Sequence, residues 1–580
     1  MSSEYQIKTA QKWTSIPNSL NPYIVIALIA LVACAPTLWF GSSSGGSSSP
    51  NLVWSHNFSG QLIVGDLYPR WLIDMNRGAG SPTFYYYGPI PFYILAIPNL
   101  LLPFFKPTIQ LAIGECLLLA LSGLAFFHYA RGRATRRTAI FGSALYMLLP
   151  YHFEIDLWTR EDLGELANYI WLPLVLHYAE VSLESKRGLF GLAISYALLV
   201  TSHLPSALLI SICLAIALLP RLYGPGFFTA VFRLTTGFVT GLLLAGIYWI
   251  PALFTQQFIH TERLWDWYFD FHLWMVPFNM ARLYPGVSEM PPFMQRLLFA
   301  IATSTAIFLL CSASVTSSAR RVELRSLAIP TLLITTAWFL MLPTSTIIWE
   351  HTSLWKVQFP WRVAMVVDLA AALSALHALE GFNRSRYLLS YFPAFGTAIL
   401  LIYSLVSADL FELLDPHTPP EALKERDSYL RQERDVSEYE TIWTPSQTDD
   451  FSADISGIDK LVYDAARGSV VVQRWRPRNI QLRVNLKETT EVMVRQYYFP
   501  NWRASVDGAA LSVSPSERNG LLKLPLKSGA YIVSLKMESL PQETLGAALS
   551  LMSIAILACI YVSTMYPKIG NDEPRRSLDI

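Results

Sequence analysis

Charge is scarce in this sequence. Only 15% of its 580 residues are Asp, Glu, Lys or Arg, against 52% hydrophobic, where soluble domains carry roughly 25% charged residues. That balance excludes an ordinary soluble globule. The charges that exist fall in short basic clusters between long apolar runs. Net charge is +1, so nothing in the overall balance points to a nucleic-acid partner. Cysteine is scarce too. Cys34, Cys116, Cys213, Cys311 and Cys559 each lie in an apolar run and form no Cys-x-x-Cys pair, which supports neither a disulfide framework nor a zinc site. A phosphate-cradling Gly-x-x-x-x-Gly-Lys-Ser/Thr loop is missing, and no convincing internal repeat is present. No cleavable signal peptide is evident: the first apolar run, 23–40, is long for one and lacks a small-x-small site, so it reads as a spanning anchor.

What is present is hydrophobic length. A helix needs about 20 apolar residues to cross a bilayer core, and basic residues mark the cytoplasmic ends. The clusters are Lys8/Lys12, Arg131/Arg133/Arg136/Arg137, Lys186/Arg187, Arg221/Arg233, Arg320/Arg321/Arg325, Arg384/Arg386 and Arg575/Arg576. Placing all of them inside predicts about twelve spans, near 23–40, 108–130, 137–152, 163–182, 188–203, 204–221, 233–251, 296–316, 326–346, 361–380, 388–406 and 543–566. The run 86–105 is apolar but carries Pro89, Pro91, Pro98 and Pro103. Each proline removes a backbone donor, a costly loss in lipid, so this run is expected to lie at the outer interface without crossing.

The expected fold is therefore a mainly α, polytopic transmembrane bundle with a small antiparallel β-sandwich outside the membrane near the C-terminus. Its parts are a cytoplasmic N-terminus (1–22), a membrane module (23–406) with outer loops 41–107, 252–295 and 345–360, an outer domain (407–542), a last span (543–566) and a cytoplasmic tail (567–580). The stretch Gly41 to Pro50, GSSSGGSSSP, reads as a flexible linker. The sandwich rests on a period of two: Ile480, Leu482, Val484 and Leu486 alternate with polar residues, as do Tyr531, Val533, Leu535 and Met537 around theirs. Asp507-Gly508, Asn519-Gly520 and Ser528-Gly529 mark turns. A lid or docking role suits this domain better than catalysis.

Candidate chemistry lies in the outer segments. Asp66, Arg70, Asp74 and Arg77 have the three- and four-residue spacing of one helical face. Arg160, Asp162 and Glu165 stand at the mouth of one span, Lys356 and Arg362 at another, and His203 joins two more. His260, Glu262 and Arg263 sit among dense aromatics. Ionisable groups at a membrane boundary carry a desolvation cost and tend to mark sites. Together they predict an outer cavity of carboxylates with a surplus of guanidinium groups. Arginine's planar fork suits phosphate, and a carboxylate beside it can act as general base. The expected ligand is a phosphorylated amphiphile in the outer leaflet.

In layout, Asp66 in the outer loop after the first span and the pieces GPIPFYILAIPNLL and FFHYARGRATRR resemble the GT-C superfamily of membrane glycosyltransferases. GDLYPRWL, GSPTFYYYGPIPFY, REDLGE, SHLPSALL, QFPWR and YYFPNWRASVDG, spread over 65–508, carry a narrower resemblance. More narrowly, the chain is similar to the bacterial integral membrane family labelled 6-pyruvoyl-tetrahydropterin synthase-related and to YfhO-like proteins. No His-x-His zinc site accompanies the pterin label. The resemblance implies sugar transfer from a polyprenyl-phosphate-linked donor to a glycan, lipid or protein acceptor, outside a bacterial inner membrane. It casts Asp66 as the base that activates the acceptor. Asp162 would be a second carboxylate. Arg70, Arg77, Arg160, Lys356 and Arg362 would hold the donor phosphate, and Tyr85, Tyr86 and Tyr87 would line the donor groove. Glu165, His203, His260, Glu262 and Arg263 are acceptor-side or accessory candidates. Asp66 is followed by Leu67 where many members pair two acids, so no metal ligand is assigned, though a divalent metal stays open. The competing class is a non-catalytic lipid or polymer transport or assembly protein using the same cavity.

Overall fold

The computed structural model describes residues 21–42, 45–223, 226–286, 290–317, 326–383, 435–444 and 458–565, with 396 and 403. The expected span 388–406 apart from 396 and 403, residues 407–434 of the outer domain, and the basic residues at 8, 12, 320, 321, 325, 384, 386, 575 and 576 lie outside these. The chain is a helical membrane protein with a β-sandwich before its last helix.

Among the described residues, six helices are long and apolar enough to cross a membrane: Pro107–Ala130, Leu204–Leu222, Phe227–Leu244, Pro292–Thr316, Pro360–Gly381 and Pro541–Val562. A seventh crossing exists if the pair Ala328–Met341 and Pro343–His351, bent by 82°, is one span. The expected twelve are not supported. The run 23–40 breaks into Pro22–Ala33 and Ala35–Phe40 at Cys34. The run 137–152 becomes Arg136–Leu148 followed by a π-helix, Tyr151–Arg160. The run 188–203 yields only Arg187–Ser202. Apolar composition does not measure helix length, and these segments bend or end before they reach it. In the run 86–105 the helix is Ile90–Leu101, about 18 Å at 1.5 Å per residue.

The sandwich has two sheets, built from β1 (Leu461–Val462), β2 (Gly468–Arg476), β3 (Asn479–Leu486), β4 (Thr490–Tyr497), β5 (Trp502–Val506), β6 (Ala509–Leu511), β7 (Ser514–Pro515), β8 (Leu521–Leu526) and β9 (Gly529–Met537). Their orders are β1-β4-β8-β7 and β2-β3-β9-β5-β6, with every neighbouring pair antiparallel. Ile480, Leu482, Val484, Leu486, Val533, Leu535 and Met537 are buried between them, as the alternation predicts. Asp507 and Gly508 turn between β5 and β6 with φ of 49° and 84°, the two left-handed residues of a type I′ hairpin.

The outer loop at 61–86 completes this domain. Trp71, Ile73, Ala79 and Tyr85 belong to the sandwich core. Trp71 Nε1 donates to Gln496 Oε1 at 2.8 Å, and Gln496 Nε2 donates to the carbonyls of Ile73 and Gly78. Residues 435–444 strap the assembly: Asp435 accepts from Trp54 Nε1 (2.8 Å), Thr83 Oγ1 (2.6 Å) and Ser81 Oγ. The serine-glycine stretch is not a free linker where it is described. Ser42 N donates to Thr108 O, Gly46 N to Thr159 O and Ser47 N to Arg160 O. Its last residues open the helix Ser48–Ile63, which carries Trp54 to Asp435.

Candidate functional site

Two segments of backbone build the site. The π-helix Tyr151–Arg160 starts after Pro150, and its second amide, His152 N, donates to Asp368 Oδ2 at 3.0 Å. That bond fills one of the orphan donors of a helix start. The π-helix ends at Glu161, whose φ is 53°. The chain then turns at once into the helix Leu163–Glu184, which Asp162 caps by accepting from Glu165 N at 3.1 Å. Asp-Leu-Gly-Glu has the spacing of a capping box. The cap leaves Asp162 Oδ2 facing back over the π-helix.

Arg160 sits in the fold so made. Its Nη1 donates to Asp156 Oδ1 (2.6 Å) and Glu165 Oε2 (2.8 Å), and its Nη2 to Asp162 Oδ2 (2.7 Å) and Glu165 Oε1 (3.0 Å). From a third element, Arg362 Nε lies 2.7 Å from Glu165 Oε1. Its Nη1 is anchored on Val357 O (2.7 Å). Tyr151 Oη donates to Glu165 Oε2 at 3.2 Å. The indole of Trp361 lies under the Arg160 guanidinium at 4.7 Å. Asp156 and Glu165 are fully buried, and Asp162, Arg362 and His203 nearly so.

The electrostatics follow from the count. Three carboxyl groups (Asp156, Asp162, Glu165) face two guanidinium groups (Arg160, Arg362), so the acids at least match the cations and the centre lacks the cationic surplus expected. Burial raises Asp162, but Arg160, helped by His203 and Arg362, outweighs it and holds the carboxyl at about 2. Burial and then Glu165 push Asp156 well above the usual carboxylate range despite Arg160. Asp156 is thus where a proton is retained, and its Oδ2 is a buried oxygen without a hydrogen-bond partner.

His203 completes the centre. Its Nδ1 bonds Ser206 Oγ at 2.8 Å. One donor atom each from Asp162, Glu165 and His203 lie within 4.8 Å of one another. Two carboxylates and an imidazole are donors that suit a divalent cation, so this set fits a metal by its chemistry.

Asp66 belongs elsewhere. It accepts from Gln61 Nε2 at 3.1 Å, and its charged neighbours are Arg478 and Arg70, not Arg160 or Arg362. Burial raises its pKa, with Arg478 opposing. The segment around it is not a helical face: Asn76 and Arg77 are left-handed at φ 52° and 56°, and Leu72 pairs with Ser81 as an isolated bridge. Arg70 donates to Ile247 O (2.8 Å) and lies over Tyr68 at 4.0 Å. The three tyrosines splay. Tyr85 lies 6.0 Å from the Arg70 guanidinium and accepts from Asn501 Nδ2. Tyr86 donates to Thr255 O at 2.9 Å. Tyr87 lies in the field of Asp162, Arg362, Glu165 and Arg160, and burial together with Asp162 pushes its hydroxyl well above the usual tyrosine range. The triplet therefore joins two polar centres.

The remaining candidates lie outside both. His260 Nδ1 pairs with Glu262 (2.7 Å), and Arg263 with Glu440 (2.8 Å) on the strap. Lys356 is exposed, 5.4 Å from the Trp265 ring and 5.5 Å from the Trp355 ring. Sequence reasoning missed Asp156, Gln61 and Arg478. Asp156 stands four residues before Arg160, a helical ion-pair spacing that was the available signal.

No family model and no curated protein sequence matches the chain, so the narrower likeness to YfhO-like proteins gains no support. Among solved structures, the chain is similar to the arabinofuranosyltransferase AftD from Mycobacteria, with TM-score 0.42 and 16% identity over 69% of this chain and 27% of that one. It is similar to the Archaeoglobus fulgidus oligosaccharyltransferase in complex with Zn and sulfate, with TM-score 0.39 and 15% identity over 74% and 59%. It is also similar to ArnT from Cupriavidus metallidurans bound to undecaprenyl phosphate, with TM-score 0.30 and 10% identity over 62% and 77%. The chain spans about a quarter of AftD's length. Likenesses of this size carry nothing about activity.

Proposed function

We propose that the chain is a membrane glycosyltransferase. It moves a sugar from a polyprenyl-phosphate-linked donor to a glycan, lipid or protein acceptor at the outer face of a bacterial cytoplasmic membrane. The reading rests on the motif resemblance and on one observation: a buried centre in which Asp162, Glu165 and His203 converge beside Arg362 while Arg160 bridges three carboxylates.

In the reaction the acceptor oxygen bonds the anomeric carbon, the bond from that carbon to the phosphate oxygen breaks, and the acceptor proton passes to a carboxylate. Asp66 is the proposed base on the motif resemblance, and burial raises its pKa toward a range useful for proton transfer. It stands outside the Arg160 centre, so the acceptor would meet the donor from the Asp66 side of the tyrosine triplet. Asp162, Glu165 and His203 would hold a divalent cation, which supplies positive charge for the departing phosphate. Arg362 stands beside that trio as the phosphate's second partner. Both terminal nitrogens of Arg160 already bond carboxylates, so Arg160 orients these acids and does not grip phosphate.

The test is transfer by the purified full chain from a panel of polyprenyl-phosphate sugars. Asp162→Asn is expected to cut turnover by at least about 100-fold and to abolish dependence on added divalent metal, with the protein still folded in detergent. Wild-type turnover by Asp162→Asn would remove the centre from the reaction. Asp66→Asn separates the base from the metal trio: it is expected to lower turnover while leaving metal affinity unchanged.

A further inference from the structure

The five-stranded sheet of the sandwich has one face in the core and one face outward. None of its strands contains Asp or Glu. Ile480, Leu482 and Val484 point inward, so the odd-numbered residues of β3 and their cross-strand partners point outward. The register then places Arg476, Asn479, Lys536 and Arg503 side by side across β2, β3, β9 and β5. At about 4.8 Å per strand, that row is about 14 Å long. The next outward row holds Arg474, Gln481, Ser534 and Ser505, and the third holds Val471, Arg483 and Ile532. Arg474, Arg476, Arg483, Arg503 and Lys536 are all exposed.

The densest row is also the one nearest the start of the apolar helix Pro541–Met565. Only residues 537–540 separate Lys536 from Pro541, where the last apolar helix begins. Five residue steps span at most about 18 Å. A second contact pins this end of the sheet: Arg478, in the β2–β3 turn, lies 3.5 Å from Glu543 in the first turn of that helix. The acids at this end face Arg478, which opposes both Glu543 and Asp66. Glu543 is engaged by Arg478, whereas Asp507 and Glu488 belong to turns at the far end of the strands. Glu538 follows β9 and leaves the row cationic.

We infer that this basic row binds the phosphate headgroups of anionic lipids in the leaflet next to the sandwich. A line of cations perpendicular to the strands runs along the bilayer where the strands approach it. Phosphate is the anion that such a surface holds at that depth, and each cation near the surface adds to the attraction. The row would hold the sandwich, and with it the loop at 61–86, at a fixed height over the membrane. It does not depend on the proposed sugar transfer.

The test counts phosphatidylglycerol against phosphatidylcholine retained by the purified full chain, by native mass spectrometry. The triple variant Arg476→Thr/Arg503→Thr/Lys536→Thr keeps strand-forming residues on the exposed face. It is expected to lose on the order of 100-fold in phosphatidylglycerol affinity, with an unchanged unfolding midpoint. The equal-charge control Lys487→Thr/Lys523→Thr/Lys527→Thr is expected to retain wild-type binding. Unchanged phosphatidylglycerol preference in the triple variant overturns the proposal, as does an equal loss in the control. Loss of dextran sulfate binding without loss of phosphatidylglycerol would assign the row to a soluble polyanion and overturn it too.

Discussion

Arg160 makes four hydrogen bonds to three carboxylates with two nitrogens, and a planar fork is what permits that. Lysine at the same place keeps the charge and loses the fork, so at least one of Asp156, Asp162 and Glu165 is left buried without a cation. Breaking a buried pair costs about 3 kcal/mol. Arg160→Lys is therefore expected to destabilise the chain by about that amount in detergent denaturation. The pH dependence sharpens the test. Asp162 lies below its unfolded value, so its contribution is present above pH 3.8 and is lost as pH falls toward about 2. Asp156 is raised, so its proton favours the folded state, and that contribution fades as pH rises through its folded value. Losing the fork weakens what opposes burial, Glu165 and Asp162 at Asp156. The variant should thus recover part of its loss on acidification from neutral pH toward pH 5. A deficit constant across that range would show that Arg160 does not set these acids' charge states.

Elements, not single residues, decided which parts of the fold were legible. The sandwich strands could be read because one face is buried and a period of two has no other simple explanation. Asp507-Gly508 could be read because both turn residues need positive φ. Spans were over-counted because apolar composition does not report bends: Cys34 ends one helix and begins another, and the Tyr151–Arg160 segment winds as a π-helix. Asp66, Arg70, Asp74 and Arg77 have helical spacing, but the left-handed Asn76 and Arg77 break the helix that the spacing presumes. Arg160, Asp162, Glu165, His203 and Arg362 were each visible as charge at a boundary. The excess of acids over guanidinium groups was not, since it depends on Asp156 within the π-helix. At this scale the outer loop 252–295 makes a further prediction. His272 bridges Asp270 (2.7 Å) on its own turn to Glu350 (3.0 Å) on the helix Thr346–His351, and Arg282 also faces Asp270 at 3.4 Å. Phe271 stacks on Trp349 beneath it. Burial lowers the imidazole, but the bonds to Asp270 and Glu350 outweigh this and raise it above 6.5. A raised histidine stabilises fully below its unfolded value and loses that effect as pH rises through the folded one. Amide exchange at 267–274 should therefore quicken as pH climbs past 6.5, after correction for the intrinsic rate. His272→Gln should remove the change, and identical pH profiles for both proteins would dismiss the latch.

At the scale of the whole molecule, the sandwich and the membrane bundle are joined through the loop that carries Asp66, and Gln496 is the joint. Its Oε1 accepts from Trp71 Nε1, while its Nε2 donates to the carbonyls of Ile73 and Gly78. Gln496 and Trp71 are fully buried. Gln61, which holds Asp66 from one side, also donates to Trp71 O and accepts from Ile73 N. Sandwich, loop and carboxylate thus form one chain of contacts. Gln496→Leu keeps the volume and strands those partners, and each buried group left unsatisfied costs about 1–3 kcal/mol. The sheets do not need this side chain for their own ladders, so β3 and β9 should keep wild-type amide protection. Residues 61–86 should lose it, and sugar transfer should fall with them because Asp66 is no longer placed. The Arg160 centre hangs on Pro150, Asp368 and Val357 instead, so divalent-metal affinity should be unchanged. Exchange that quickened throughout the sandwich as well would mean the glutamine holds the domain together rather than joining it to the loop. Full transfer activity with a mobile 61–86 loop would separate Asp66 from the reaction and leave the Arg160 centre to carry it alone.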